Sequence, residues 1–129
     1  GRSLSELLHQ LTAAMSTRTE MPISTTITGG APLPIDVKIA FYRITQEALN
    51  NISKHARADR AWVNFSHQNG QVTLRIGDNG RGFQREGIPP HRLGLNIMQE
   101  RANAIHANLK IDTDAHEGTE IIVVWQKSE

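Results

Sequence analysis

The step Asn69-Gly70 constrains this chain more than any other pair of residues. It separates two stretches in which alternate positions are apolar: Ala61, Val63 and Phe65 before it, Val72, Leu74 and Ile76 after it. Asn-Gly readily takes the two positive-φ positions of a two-residue hairpin turn, and a period of two puts each apolar trio on one face. The result is an antiparallel strand pair with one apolar face. Such a face is stable only when a second layer covers it.

The remaining patterns supply that layer. Ser3-Leu4-Ser5-Glu6 reads as a capping box, and Leu4, Leu8, Leu11 and Met15, with Leu7 alongside, form a helical stripe behind it. Ile23, Thr25 and Ile27 alternate as a short strand closed by Gly29-Gly30. After a loop holding Pro32 and Pro34, Asp36 is placed to cap a long helix running to about Ala56. A helix is expected from Leu95 to Ala107, with Asn108 as a left-handed cap, then strands over 109–113 and 119–126 around a turn containing Glu117-Gly118. Residues 79–94, rich in glycine, proline and charge, read as a long loop, which in a compact domain is usually functional or disordered. The order predicts an α+β fold: a two-layer sandwich, helices on one face of a mixed, mostly antiparallel sheet. No interdomain linker or repeat is visible, so residues 1–129 are expected to form one domain.

Composition narrows the chemistry. Fourteen Lys and Arg against 13 Asp and Glu leave a net charge of +1, which gives no reason to expect nucleic acid as a direct partner. With no cysteine, disulfides and thiolate metal sites are excluded, and a reducing, cytoplasmic location fits. No pair of histidines has metal-ligand spacing, which argues against zinc. The longest apolar run, 121–125, falls far short of the roughly 20 residues that cross a bilayer.

The long helix carries two adjacent asparagines. On a helical wheel Val37, Phe41, Ile44, Ala48 and Ile52 form the stripe that packs on the sheet. Asn51 lies about 60° from its centre and Asn50 about 160°. Asn50 therefore points away. Asn51 borders the core, flanked by Glu47 and His55 one turn either side. An amide oxygen and a carboxylate beside a cleft suit Mg²⁺, a hard cation that keeps water and phosphate in its shell. The same ridge also reads as a helix edge whose polar groups bond one another.

"IGDNGRGF" adds to that ridge. Continuing the inward alternation of Val72, Leu74 and Ile76 puts Asp78 on the buried face, where a carboxylate is costly unless donors meet it. A ligand amino group is one such donor, and Gly80 and Gly82 let the backbone come close to a planar ligand. A glycine-rich turn with Asp as its Asx residue is the alternative. Leu93-Gly94-Leu95 then opens a helix whose free N–H groups suit phosphate. Gly118-Thr119 offers either a hydroxyl at the same cleft or a turn glycine.

In order, E-x-x-x-N-x-x-K-H at 47–55, D-x-G-x-G at 78–82, L-G-L at 93–95 and G-T at 118–119 resemble the ATP-binding catalytic domain of sensor histidine kinases. These belong to the GHKL superfamily, with the Bergerat fold. "FYRITQEALNNISKHA" and "LGLNIMQERA" most resemble the nitrate/nitrite-sensor class. The resemblance implies ATP and Mg²⁺ as cofactors, with Asn51 the Mg²⁺ ligand and Glu47 the residue that polarises the attacking nucleophile. It implies Lys54 and His55 near the phosphates, Asp78 on the adenine amino group, and Gly80 and Gly82 shaping that pocket. It also implies an ATP lid over about 83–93, Gly94 and Leu95 at the phosphate-side helix start, and Thr119 supporting Asp78. Relatives often carry G-x-G where this chain has Arg92-Leu93-Gly94, and Arg92 is either a triphosphate contact or a solvated loop residue.

By this resemblance the chain is the catalytic part of a two-component kinase. It transfers the γ-phosphate to a histidine on a separate dimerisation and phosphoacceptor domain, with a response regulator downstream. The full-length protein is expected to be a homodimer, with anchoring at a membrane left open. His9 is expected to be exposed on the first helix and not the phosphoacceptor. The competing readings are a GHKL ATPase of another branch, an anti-sigma-factor type serine kinase, and a nucleotide-gated binding module.

Overall fold

The computed structural model describes residues 2–30, 32–80, 94–114 and 118–127. Helix α1 (Leu4–Thr19) starts at Ser3, whose Oγ accepts from the Glu6 N–H at 3.2 Å and donates to the Glu6 carboxylate at 3.3 Å. Leu4, Leu8 and Met15 are buried as the stripe requires, but the fourth buried position is Thr12 rather than Leu11, which is only partly buried. Thr12 can be there because its hydroxyl bonds Thr25 Oγ1 (2.7 Å) and the His9 carbonyl (3.2 Å). His9 itself is exposed, as expected.

Strand β1 (Ile23–Gly29) leads to α2 (Ile35–Asn51), and the next five residues, Ile52–Ala56, wind as a π turn. Two details differ from the sequence reading. Pro34, not Asp36, occupies the cap position, and Asp36 lies inside the first turn, accepting from the Val37 N–H at 2.9 Å. The helical path does reach Ala56, but its winding widens at Ile52 before Arg57 ends it at φ 51°. The stripe Val37, Phe41, Ile44, Ala48 and Ile52 is buried throughout, and Thr45 and Leu49 are buried with it. The buried arc is broader because α2 packs on both α1 and α3 as well as on the sheet.

Strands β2 (Ala61–Gln68) and β3 (Gln71–Asp78) form the expected hairpin, with Asn69 at φ 55° and Gly70 at φ 77°. Helix α3 (Leu95–Ala104), β4 (Asn108–Asp114) and β5 (Gly118–Gln126) complete the domain. Asn108 does not cap α3. His106 takes the left-handed position (φ 59°), with His106 N–H to Asn103 O (3.0 Å) and Ala107 N–H to Ala102 O (2.8 Å), which is the Schellman pattern, so Asn108 is free to open β4.

The sheet order is β1-β2-β3-β5-β4, with β1 parallel to β2 and the other pairs antiparallel. This is the expected mixed, mostly antiparallel α+β sandwich. Register stacks the inner face in rows: Phe65-Leu74-Val123-Leu109, then Val63-Ile76-Ile121-Ile111, then Ala61-Asp78-Thr119-Thr113. The first two rows are hydrocarbon and meet α2, where Phe41 sets its ring edge-on to Phe65 at 6.5 Å. The third row ends the core in polar groups. No helix among the described residues is long and apolar enough to cross a membrane.

Candidate nucleotide site

Five polar side chains are buried among the described residues, and Asn51, Asp78 and Thr119 are three of them. Burying polar groups is costly, so their concentration on predicted site positions carries more weight than any single motif.

Asp78 is the centre of one corner. Strand alternation takes it to the core face, where it is 1% exposed. Its Oδ1 accepts from the Gly80 N–H at 2.7 Å, while Oδ2 is buried with no partner among the described residues. Burial raises its pKa above the ordinary 3.8, and the Gly80 hydrogen bond only partly offsets that. A buried carboxylate oxygen without a donor is a ready acceptor for a ligand N–H.

The wall beside it is backbone. Gly118 (φ 97°) leaves no side chain where a Cβ would collide with the Asp78 carbonyl oxygen and approach Gly80 N to 3.0 Å. Thr119, directly opposite Asp78 in the ladder, is 4% exposed and shares a 2.8 Å hydrogen bond with the Thr113 hydroxyl. Main chain and two small hydroxyls thus lie beside Asp78 at this end of the ladder, with no bulky side chain among them. Gly118 and Thr113 matter here as much as Thr119. The sequence signalled Gly118 only as a turn glycine, and Thr113 enters through cross-strand register, which no local pattern announces.

Glu47 and Gly94 form a second corner. Gly94 takes the N-cap position of α3 at φ 67°, and a Cβ there would collide with Glu47 Oε1. The half-buried Glu47 carboxylate therefore rests against the start of α3, whose first N–H groups lack intrahelical partners and carry partial positive charge. Any anion binding at that helix start would lie beside Glu47. Asn51 follows one turn later on α2 at 3% exposure, just before the π turn, and Asn50 is half-buried rather than fully solvated. Leu95 packs against the core, and Lys54 is exposed on the π turn. The His55 side chain, Gly82, Arg92, Leu93 and the whole expected lid at 83–93 lie outside the described residues.

Comparison with known proteins gives the family and the fold. A profile of the family described as histidine kinase-, DNA gyrase B-, and HSP90-like ATPase matches residues 36–129. The signal transduction histidine-protein kinase/phosphatase DegS of Brevibacillus brevis is 39% identical over 94 residues, covering 73% of this chain and 24% of that protein. The nitrate/nitrite sensor protein NarX of Escherichia coli (strain K12) is 30% identical over 93 residues, 72% of this chain and 16% of that protein. The chain thus spans about a quarter or less of the curated relatives it matches. Among solved structures, the histidine kinase domain of the Erythrobacter litoralis EL346 blue-light activated kinase superimposes with a TM-score of 0.76 at 19% identity, over 96% of this chain and 61% of that one. The histidine kinase domain of the E. coli osmosensor EnvZ gives 0.70 at 18% identity, over 99% and 88%. At those identities the likeness establishes the fold.

Proposed function

This chain belongs to the histidine kinase-, DNA gyrase B-, and HSP90-like ATPases, and from that premise we propose that it is the ATP-binding catalytic domain of a two-component sensor histidine kinase. The observation that carries the reading is Asp78 Oδ2: buried and without a donor among the described residues, at a corner where Gly118 packs on the Asp78 main chain. The adenine amino group supplies the missing hydrogen bond. Thr119 holds the floor of that pocket, and the resemblance assigns Gly82 to its shaping.

Mg²⁺ fits the residues present. No group of three or more His, Asp or Glu side chains among the described residues can hold a metal by itself. Asn51 offers one amide oxygen, the kind of hard ligand that suits an ion whose other ligands are phosphate oxygens and water. Bound there, the ion neutralises charge on the triphosphate. The α3 N-terminus at Gly94 and Leu95 receives phosphate, and the resemblance assigns Lys54, His55, Arg92 and Leu93 to the same task.

In the reaction, the γ-phosphorus–oxygen bond breaks as a phosphorus–nitrogen bond forms to a histidine of the dimerisation domain, and ADP leaves. Glu47 accepts a hydrogen bond from that imidazole and so orients the attacking nitrogen. The rest is positioning and charge neutralisation. The phosphoryl group then passes to a response regulator. The intact protein is a homodimer whose catalytic part works in the cytoplasm, free or as the cytoplasmic portion of a membrane-anchored sensor, with no direct nucleic-acid partner.

The identity to sensor kinases supports transfer to histidine over the water-using branches of the family. The test mixes this domain, ATP–Mg²⁺ and the dimerisation domain of the same protein. Acid-labile phosphate on the dimerisation domain supports the reading. Acid-stable phosphoserine, or release of free phosphate alone, refutes it.

A further inference from the structure

Asn79 stands between the two residues that shape the adenine corner, yet it is exposed while Asp78 and Gly80 are buried. Its side chain is committed elsewhere. Asn79 Oδ1 accepts from two consecutive backbone N–H groups, Asp59 at 2.9 Å and Arg60 at 3.0 Å. Its own N–H donates to the Arg60 carbonyl at 3.3 Å, one step beyond the last ladder pair, Ala61 with Asp78.

Residues 57–60 join the π turn to β2, so they leave directly from the helix that carries Glu47, Asn51 and Lys54. They start from a left-handed Arg57 and lie outside any strand. One amide oxygen thus fastens the exit of the phosphate-side helix to the Asp78–Gly80 corner. We infer that Asn79 is a positioning residue that fixes the spacing between the adenine end and the phosphate end of the nucleotide site.

The inference rests on the nucleotide reading given above. It also separates geometry from stability. All three groups are at the surface, so water replaces the lost hydrogen bonds at small net cost to folding. What is lost is the fixed relation between two halves that only a ligand spanning both can sense.

The experiment compares ATP with adenosine on the whole chain as wild type, Asn79→Ala and Asn79→Asp. Asp keeps an acceptor oxygen for the two N–H groups. Asn79→Ala is expected to weaken ATP binding about tenfold, a change of about 1.4 kcal/mol, and to leave adenosine binding and Tm close to wild type. Asn79→Asp recovers most of the ATP affinity. Amide exchange at Asp59 and Arg60 quickens in Asn79→Ala and not in Asn79→Asp. Equal losses for ATP and adenosine overturn the inference, because they would mean that Asn79 merely shapes the Asp78 corner. An Asn79→Ala protein that matches a wild type competent for ATP overturns it alone. A wild type that binds no ATP overturns the site reading and this inference together.

Discussion

Asp78→Asn should stabilise the empty domain while crippling its ligand binding. The buried carboxylate has one oxygen on the Gly80 N–H and one with no donor among the described residues. Its pKa is raised by burial, so the folded state holds the proton more tightly than the unfolded chain does. The stability this confers is complete below the ordinary value of 3.8 and disappears as pH rises through the folded value. At neutral pH the ionised form therefore burdens the fold. An amide keeps an oxygen for Gly80 and carries no charge, and an unpaired amide costs less than an unpaired charge. The expected gain is about 1 kcal/mol, or about 4 °C in Tm for a domain of this size. A hydrogen bond to a charged group is worth about 1.5–3 kcal/mol, so ATP affinity should fall about 10- to 100-fold. Thermal unfolding with and without ATP–Mg²⁺, repeated from acid to neutral pH, reads both effects. The gap in Tm between variant and wild type should widen as pH rises. A variant that binds ATP like wild type, or that loses apo stability at neutral pH, refutes the reasoning.

Three further substitutions test the walls of the site and the core beneath it. Gly118→Ala meets the Asp78 backbone at a positive φ, with no flexible atom to yield. It should cost about 2 kcal/mol or more in urea unfolding, and it should lower ATP affinity as well. Gly94→Ala meets only the end of the Glu47 side chain, which can swing away. Its stability cost should be about 1 kcal/mol, from the left-handed backbone. Phosphotransfer to the dimerisation domain should slow by more than ATP affinity falls, and an unaltered transfer rate would remove Glu47 from the proposed role. Leu74→Ala empties a fully buried position between Phe65 and Val123. A loss of about 2–5 kcal/mol is expected by denaturant titration, set by how far the layer can collapse.

What the sequence made legible and what it hid divide along a physical line. Alternation and helical spacing are properties of one segment, so the hairpin, the α2 stripe and the inward turn of Asp78 were all readable, and the sandwich followed from them. Cap positions were less so: Asp36 and Asn108 have the right chemistry for caps, but Pro34 and His106 hold those places because α2 starts two residues earlier and β4 must begin at residue 108. Thr12 reads as polar until Thr25 is opposite it. Gly118 and Asn79 likewise acquire their roles only when two distant segments meet: one by leaving room for the Asp78 carbonyl, the other by receiving the N–H groups of Asp59 and Arg60. The π turn belongs to the same class, because "ISKHA" carries no proline or glycine to mark a change of winding. The motifs therefore identify the groups that would touch a nucleotide, while the groups that set the distances between them come from register. In a site whose chemistry is mostly placement, that second set should control rate as strongly as the first.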